Sequence, residues 1–536
     1  MRVRTASRHV VGAALFMISV GAGPSDAPGK PTSRPATQPA QVKIDMDKAV
    51  PVELAVKEDL TPQAFTTRDG RSGWALRIPG NRPIATPAYA DGKIFVGGGY
   101  GSHEFYAFDA TTGKKVWQMT TADDGPTAAV VEDGCVAFNT ESCTVIIADA
   151  KTGKVIWQEW LGDPLMSQPA IAKGRLYIAY PGGNPRGANK GEATGVPNAP
   201  AHAAANGPAG ANQAAVPLEA PAKVALAGGG AAVGPATGHG HRLLCADLKT
   251  GRHIWEQDIA GDVISAPVVE GDQVFFTCFD GTSFALNCAD GTVAWKKHNA
   301  GTSAPLVANG QVLVAQRQEV GKDVEEGVQR LDLKKGDAQE AKPLAAGKAE
   351  YLKEGNGGAV ALSMPAQHAA DASVGFANAP AAAGLGGAAK NANVSTVAGA
   401  WAYQGSRVAY AQGRILNAQA NRFNCINAKD GTVAWQAEAV GKGVSEQVQA
   451  FSPPAVASGN LYVCSAQGHL IALDQKDGKV GFLYSTGQPM AFQPALAGGN
   501  IYAGTTNGML ICLKTGNPAV DGWTAWGGNA QHNKKE

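Results

Sequence analysis

The sequence predicts an all-β chain, an eight-bladed β-propeller of four-stranded antiparallel blades with two low-complexity loop insertions. Three observations predict it. An eleven-residue frame ending in tryptophan recurs along the chain, its central glycine returns at intervals near 40 residues, and each unit alternates short apolar runs with Gly-containing turns.

The frame reads AFDATTGKKVW over residues 107–117, and it returns as IADAKTGKVIW ending at Trp157 and CADLKTGRHIW ending at Trp255. ALNCADGTVAW ends at Trp295 and CINAKDGTVAW at Trp435. The anchor glycines are Gly113, Gly153, Gly251, Gly291, Gly336, Gly431, Gly478 and Gly516. Two of their spacings, 98 and 95 residues, exceed a 40-residue unit by 58 and 55, so the chain holds eight units and two insertions.

Within the first unit, TPAYADG, KIFVGGG, FYAFDATTG and KKVWQM supply strands A to D. Asp91-Gly92 makes the A–B hairpin, and Thr112-Gly113 gives the left-handed turn between C and D. A proline opens strand A repeatedly, at Pro87, Pro169, Pro267, Pro305, Pro454 and Pro494. The first residue of a strand can forgo a ladder hydrogen bond, so proline is tolerated there. Each strand-D tryptophan carries about 150–250 Å² of surface to bury, which makes the Trp stripe the cement between blades.

Closure is also legible. The eighth unit has Val520 where tryptophan is expected, whereas AFTTRDGRSGW, residues 64–74, has the Gly-then-Trp spacing with no A or B strand before it. The segment around Trp74 is therefore expected to add the outer strand of blade eight and cover its edge. Trp523 and Trp526 are the competing source of that strand.

The insertions fall at about 181–240, between strands B and C of blade three, and at about 346–400, between blades five and six. Strand parity places both on the face where B–C loops and D–A links open. From Gly182 to Gly240, 43 of 59 residues are Ala, Gly, Pro or Asn, with no Phe, Tyr or Trp, a composition that does not build a core of its own. A disordered surface decoration is expected, a partner-docking arm being the functional alternative.

At the N-terminus, Arg2, Arg4 and Arg8 precede an eleven-residue apolar run, residues 10–20, with Val20 and Ala22 placed as in a signal-peptidase site. The run falls short of the roughly 20 residues of a membrane span, so residues 1–22 read as a secretory signal peptide. Residues 23–60 are expected to form a flexible linker, 61–526 the propeller and 527–536 a tail. No cysteine precedes Cys135, so no lipid-anchor cysteine is expected, and the protein is placed as exported and soluble, periplasmic or extracellular.

Composition narrows the function. With 46 Lys plus Arg against 45 Asp plus Glu, the chain has no electrostatic footprint for nucleic acid. The eight cysteines form no CxxC and no adjacent pair, which leaves zinc-ribbon, thioredoxin-like and c-type haem readings without support. Most fall in predicted strands, where a small buried thiol is expected and disulfides are the alternative. On the loop face, His103, Glu104, Glu141 and Arg317 are candidate binding residues, with Asp123, Asp124, Asp163 and Asp262 in nearby links. Converging acids could hold a cation such as calcium, and His239 with His241 a transition metal, but isolated solvated turn residues are the plainer expectation.

The frame resembles the tryptophan-docking motif of the pyrroloquinoline-quinone (PQQ) propeller superfamily, with Ala, Asp or Asn, Gly and Trp at positions one, three, seven and eleven. Ala107, Asp109, Gly113 and Trp117 fit it fully, as do Ala285, Asn287, Gly291 and Trp295. Asp149, Gly153 and Trp157, then Asp247, Gly251 and Trp255, then Asn427, Gly431 and Trp435 fit with Ile147, Cys245 and Cys425 replacing the alanine. The resemblance covers roughly residues 64–520 and implies one of two branches. Quinoprotein alcohol dehydrogenases stack their cofactor on a ring of two adjacent cysteines and hold calcium with Glu, Asn and Asp beside a catalytic Asp. No adjacent cysteines and no matching acidic motif occur here. The other branch comprises non-enzymatic PQQ-like repeat proteins typified by the outer-membrane assembly factor BamB. The expectation is therefore a BamB-like, monomeric, non-catalytic scaffold for protein partners in the cell envelope, with no cofactor and no catalytic or metal residue. A PQQ- and calcium-dependent alcohol or sugar dehydrogenase is the alternative.

Overall fold

The computed structural model describes residues 39–535 except 100, 124, 141–142, 162–166, 183–240, 262, 264, 279, 321–322, 349–406 and 445–449. Its strands form eight sheets, each with four strands in the antiparallel order A-B-C-D. Blade 1 contains Ala88–Ala90, Lys93–Gly97, Glu104–Asp109 and Lys115–Thr120. Blades 2 to 5 follow over 130–160, 170–259, 268–297 and 306–348, and blades 6 and 7 over 409–440 and 455–485. The short A strands touch their neighbours through blades 1 to 4 and through blades 5 to 8, and that of blade 8 (Ala495–Ala497) touches that of blade 1, so the last blade closes on the first.

Blade 8 is completed from the far end of the chain. Ser72–Arg77 pairs antiparallel with Met509–Lys514 and places Trp74 opposite Cys512, as expected, and Gln63–Thr66 adds a fifth strand outside it. Trp523 and Trp526 do not supply that strand. Gly516 also departs from the frame, because Lys514 occupies the register of Asp109 and puts Gly516 two positions early.

The expected flexible linker over 23–60 is corrected from residue 40 onward. Ala40–Asp45 lies parallel to the outer strand of blade 6 (Val433–Val440), and Val50–Pro51 parallel to that of blade 7 (Val480–Ser485). Ile44, Met46 and Val52 are buried there, which explains why a stretch with few turn signals behaves as structure. Three consecutive outer edges are thus covered by one N-terminal strap.

The tryptophan frame works as a hand-to-hand clasp between blades. Trp74, Trp117, Trp157, Trp255, Trp295 and Trp435 each lie against the next blade's C–D turn glycine: Gly113, Gly153, Gly251, Gly291, Gly336 and Gly478. These glycines have φ between +68° and +76°, and a Cβ on any of them would collide with the indole. Each indole Nε1 also donates to a carbonyl of the next blade, at Ala110, Ala150, Leu248, Cys288, Leu333 and Gln475 respectively. Blade 5 lacks the tryptophan and divides its task. Leu344 fills the space over Gly431, and Arg330 Nη1 donates 2.5 Å to the Ala428 carbonyl that an indole would have reached.

At position three, Asp109, Asp149 and Asp247 accept from the backbone N–H and hydroxyl of Thr112, Thr152 and Thr250, fixing the turn that presents the glycine. The threonine hydroxyl is the main reason each carboxyl is held below its usual range. All eight cysteines are free thiols and all but Cys288 are buried, in agreement with the packing reading. Burial pushes Cys245, Cys425, Cys464 and Cys512 up to about 12, which makes them poor nucleophiles.

Candidate functional site

The expected tail is instead the filling of the central channel. Trp523 exchanges backbone hydrogen bonds with Leu496 in strand A of blade 8, and the Thr524 carbonyl accepts from Tyr89 N of blade 1. The Ala530 and Gln531 carbonyls accept from Ile171 N and Val269 N, in strands A of blades 3 and 4. Asn533 brackets Val307 of blade 5, accepting from its N–H at 2.8 Å and donating to its carbonyl at 3.1 Å. Gln531 reaches Glu132 of blade 2, Lys535 reaches Glu270 of blade 4, and the His532 carbonyl accepts from Arg407 of blade 6. Residues 523–535 thus cross the inner strands of seven blades and leave Trp523, Trp526 and His532 buried.

Local chemistry explains the path. Gly527 and Gly528 take φ of +72° and +94°, which turns the segment back on itself, and a Cβ on Gly527 would press on the His532 backbone. Trp526 packs on Ala266 and Ala304, whose small side chains give it room, and its carbonyl meets His532 Nδ1 at 2.7 Å. His532 Nε2 faces the Pro169 carbonyl at 2.9 Å. Burial, only partly opposed by these two carbonyls, drops the imidazole to about 4. Over Trp526 lies the Arg407 guanidinium, 4.7 Å from a ring centroid and lowered by burial to about 9.

The face anticipated from strand parity is present. In blades 1, 2, 4, 6 and 7 the D–A link donates back to the B–C turn, as Thr121 N does to His103 O and Leu161 N to Cys143 O. Pro181 and His241, the borders of the first insertion, pair at that end of blade 3, and Lys348 pairs with Glu325 at the corresponding end of blade 5. Residues 183–240 and 349–406 lie outside the described residues, and residues 346–348, expected to open the second insertion, belong instead to strand D of blade 5.

The candidate face residues that are described are not gathered into one site. His103 is exposed, its Nδ1 3.3 Å from the Thr121 carbonyl, and Glu104 adjoins it at the start of strand C of blade 1. Arg317 sits four blades away on strand B of blade 5, half-buried, its N–H donating to Thr302 Oγ1. Glu141, Asp124, Asp163, Asp262 and His239 lie outside the described residues. Asp123 accepts from the Thr140 hydroxyl, and His241 is buried at the start of strand C of blade 3. Among the described residues no three His, Cys, Asp or Glu side chains come together as metal ligands.

Sequence reasoning missed the channel filling, although a signal existed. Two tryptophans and a Gly-Gly pair follow the last repeat, where no strand of the frame remains to bury them.

Comparisons agree with this architecture. A family model described as outer membrane protein assembly factor BamB matches residues 57–196, 201–361 and 385–525. The Yersinia pestis outer membrane protein assembly factor BamB is 23% identical over 235 residues, 40% of this chain and 56% of that protein. The chain thus spans little more than half of that relative's length. The quinoprotein alcohol dehydrogenase PedH of Pseudomonas putida is 29% identical over 130 residues, 21% of this chain and 22% of that protein. Among solved structures, Saccharomyces cerevisiae Sqt1 superposes with a TM-score of 0.50 at 8% identity, over 82% of this chain and 97% of that one, a likeness of fold. With its repeats, its docking frame and most of its length matched by one family model, the chain belongs to the outer membrane protein assembly factor BamB family of PQQ-like β-propellers.

Proposed function

We propose that the protein is an exported, non-catalytic propeller that binds protein partners in the cell envelope through its loop face. The observation that carries this reading is the channel. The axial position where a propeller would enclose a small ligand is filled by residues 523–535, hydrogen-bonded to inner strands around the ring. Recognition is left to the loops and to outer edges. The BamB relatives support the same class of work.

A PQQ enzyme is the second reading, favoured by the stretch shared with PedH. The residues present do not fit that cofactor: Trp526 and Arg407 fill the axial position, and no two cysteines are adjacent. No catalytic step is derived through it.

The discriminating experiment adds PQQ and calcium to purified protein, follows melting temperature and dye-linked alcohol or sugar oxidation, and in parallel cross-links the protein to envelope extracts. The scaffold reading expects neither a shift nor turnover, together with a saturable protein partner lost on altering the loop face. Turnover with a rise of several degrees would overturn it. Export is read separately by fractionation and by the N-terminal residue of the mature protein, expected just after Ala22.

A further inference from the structure

Eight equivalent positions ring the channel at its loop-face end, each two residues before the first residue of a strand A. By register these are Thr86, Ala128, Gln168, Ala266, Ala304, Arg407, Pro453 and Gln493. All are buried. Gln493 is satisfied, donating 2.6 Å to the Pro454 carbonyl and accepting 2.8 Å from Gly527 N. The other three polar members are not. Thr86 Oγ1, Gln168 Oε1 and both Nε and Nη1 of Arg407 are buried without a hydrogen-bond partner among the described residues.

Arg407 is the one that demands a ligand. Its side chain is 1% exposed, and only Nη2 is engaged, with the Pro305 and His532 carbonyls. Carbonyl dipoles and the Trp526 face soften a buried cation but do not neutralise it, and an unpaired buried charge is strongly destabilising. The nearest carboxylates along the inner strands do not serve. Glu132 and Glu270 stand four residues further along their strands, roughly 13 Å at the usual strand rise, and Glu270 is taken by Lys535 at 2.6 Å.

We infer that this ring holds an anion site, in which Arg407 Nε–H and Nη1–H bind a small monovalent inorganic anion beside Trp526. One guanidinium matches one negative charge, and with Nη2 already held by two carbonyls the Nε–H and Nη1–H edge is left to a single small acceptor. The Thr86 hydroxyl, free to rotate, is a further donor on the ring, and rotating the Gln168 amide by half a turn presents N–H in place of its unpaired oxygen.

Two measurements test it on the full chain. Replacing gluconate by chloride at fixed ionic strength is expected to raise the melting temperature by several degrees with saturation, and Arg407→Met is expected to abolish the rise. Crystals grown in bromide are expected to show anomalous scattering within hydrogen-bonding distance of the Arg407 guanidinium. Identical melting in chloride and gluconate, or an unchanged chloride response in the Met variant, would overturn the site. Should Arg407→Met fail to fold, the bromide experiment on the unmodified protein decides alone: a water there, or no anomalous peak, refutes the proposal.

Discussion

The tryptophan clasp concentrates much of the inter-blade contact in single side chains. Trp435 is 1% exposed, covers Gly478 and donates 3.0 Å to the Gln475 carbonyl. Trp435→Ala should cost about 3–5 kcal/mol in chemical denaturation. Trp435→Phe, which keeps much of the ring but leaves that carbonyl unpaired, should cost about 1–3 kcal/mol. His532 governs a pH response. Its folded value of about 4 lies below the ordinary 6.5, so as pH falls the unfolded chain takes up the proton first. Its stabilising effect is complete above about 6.5 and is lost progressively toward 4. Melting temperature should therefore decline from pH 6.5 to 4.5 in the natural protein, and less steeply in His532→Gln. Equal slopes for the two proteins would refute the assignment.

At the scale of elements, the strap over blades 6, 7 and 8 trades three exposed sheet edges for one covered perimeter. Deleting residues 39–51 should leave the ring folded but lower its melting temperature and promote self-association, visible as light scattering, because the outer strands 433–440 and 480–485 would then offer free ladders. The repeating elements were legible in the sequence because they obey a local rule: Gly at seven and Trp at eleven fix the turn and the docking within one short stretch. Closure through Trp74 was legible for the same reason. The strap was not, since Ala40–Asp45 pairs with residues some 395 positions away and its few apolar side chains, Ile44 and Met46, carry no periodic signal. Nor could spacing reveal that Leu344 and Arg330 share the work of a missing tryptophan, because one is a strand-D residue and the other lies on strand C.

For the molecule as a whole, the channel segment ties the blades through their inner strands, much as a drawstring does. Ending the chain at residue 520 should keep the β-sheet signal while speeding amide exchange in the A strands of all the blades the segment crosses. Loss confined to blade 8 would show that the segment is only locally attached. This arrangement also imposes a timetable. Ser72–Arg77 is made before any blade, yet its partner Met509–Lys514 comes more than 430 residues later, and the channel segment follows all eight blades. A nascent chain therefore stays an open arc with a waiting strand until translation passes the last repeat, a topology of distant pairings that folds slowly. An interrupted product can neither close its ring nor fill its axis, and the channel-side edge of each inner strand stays open.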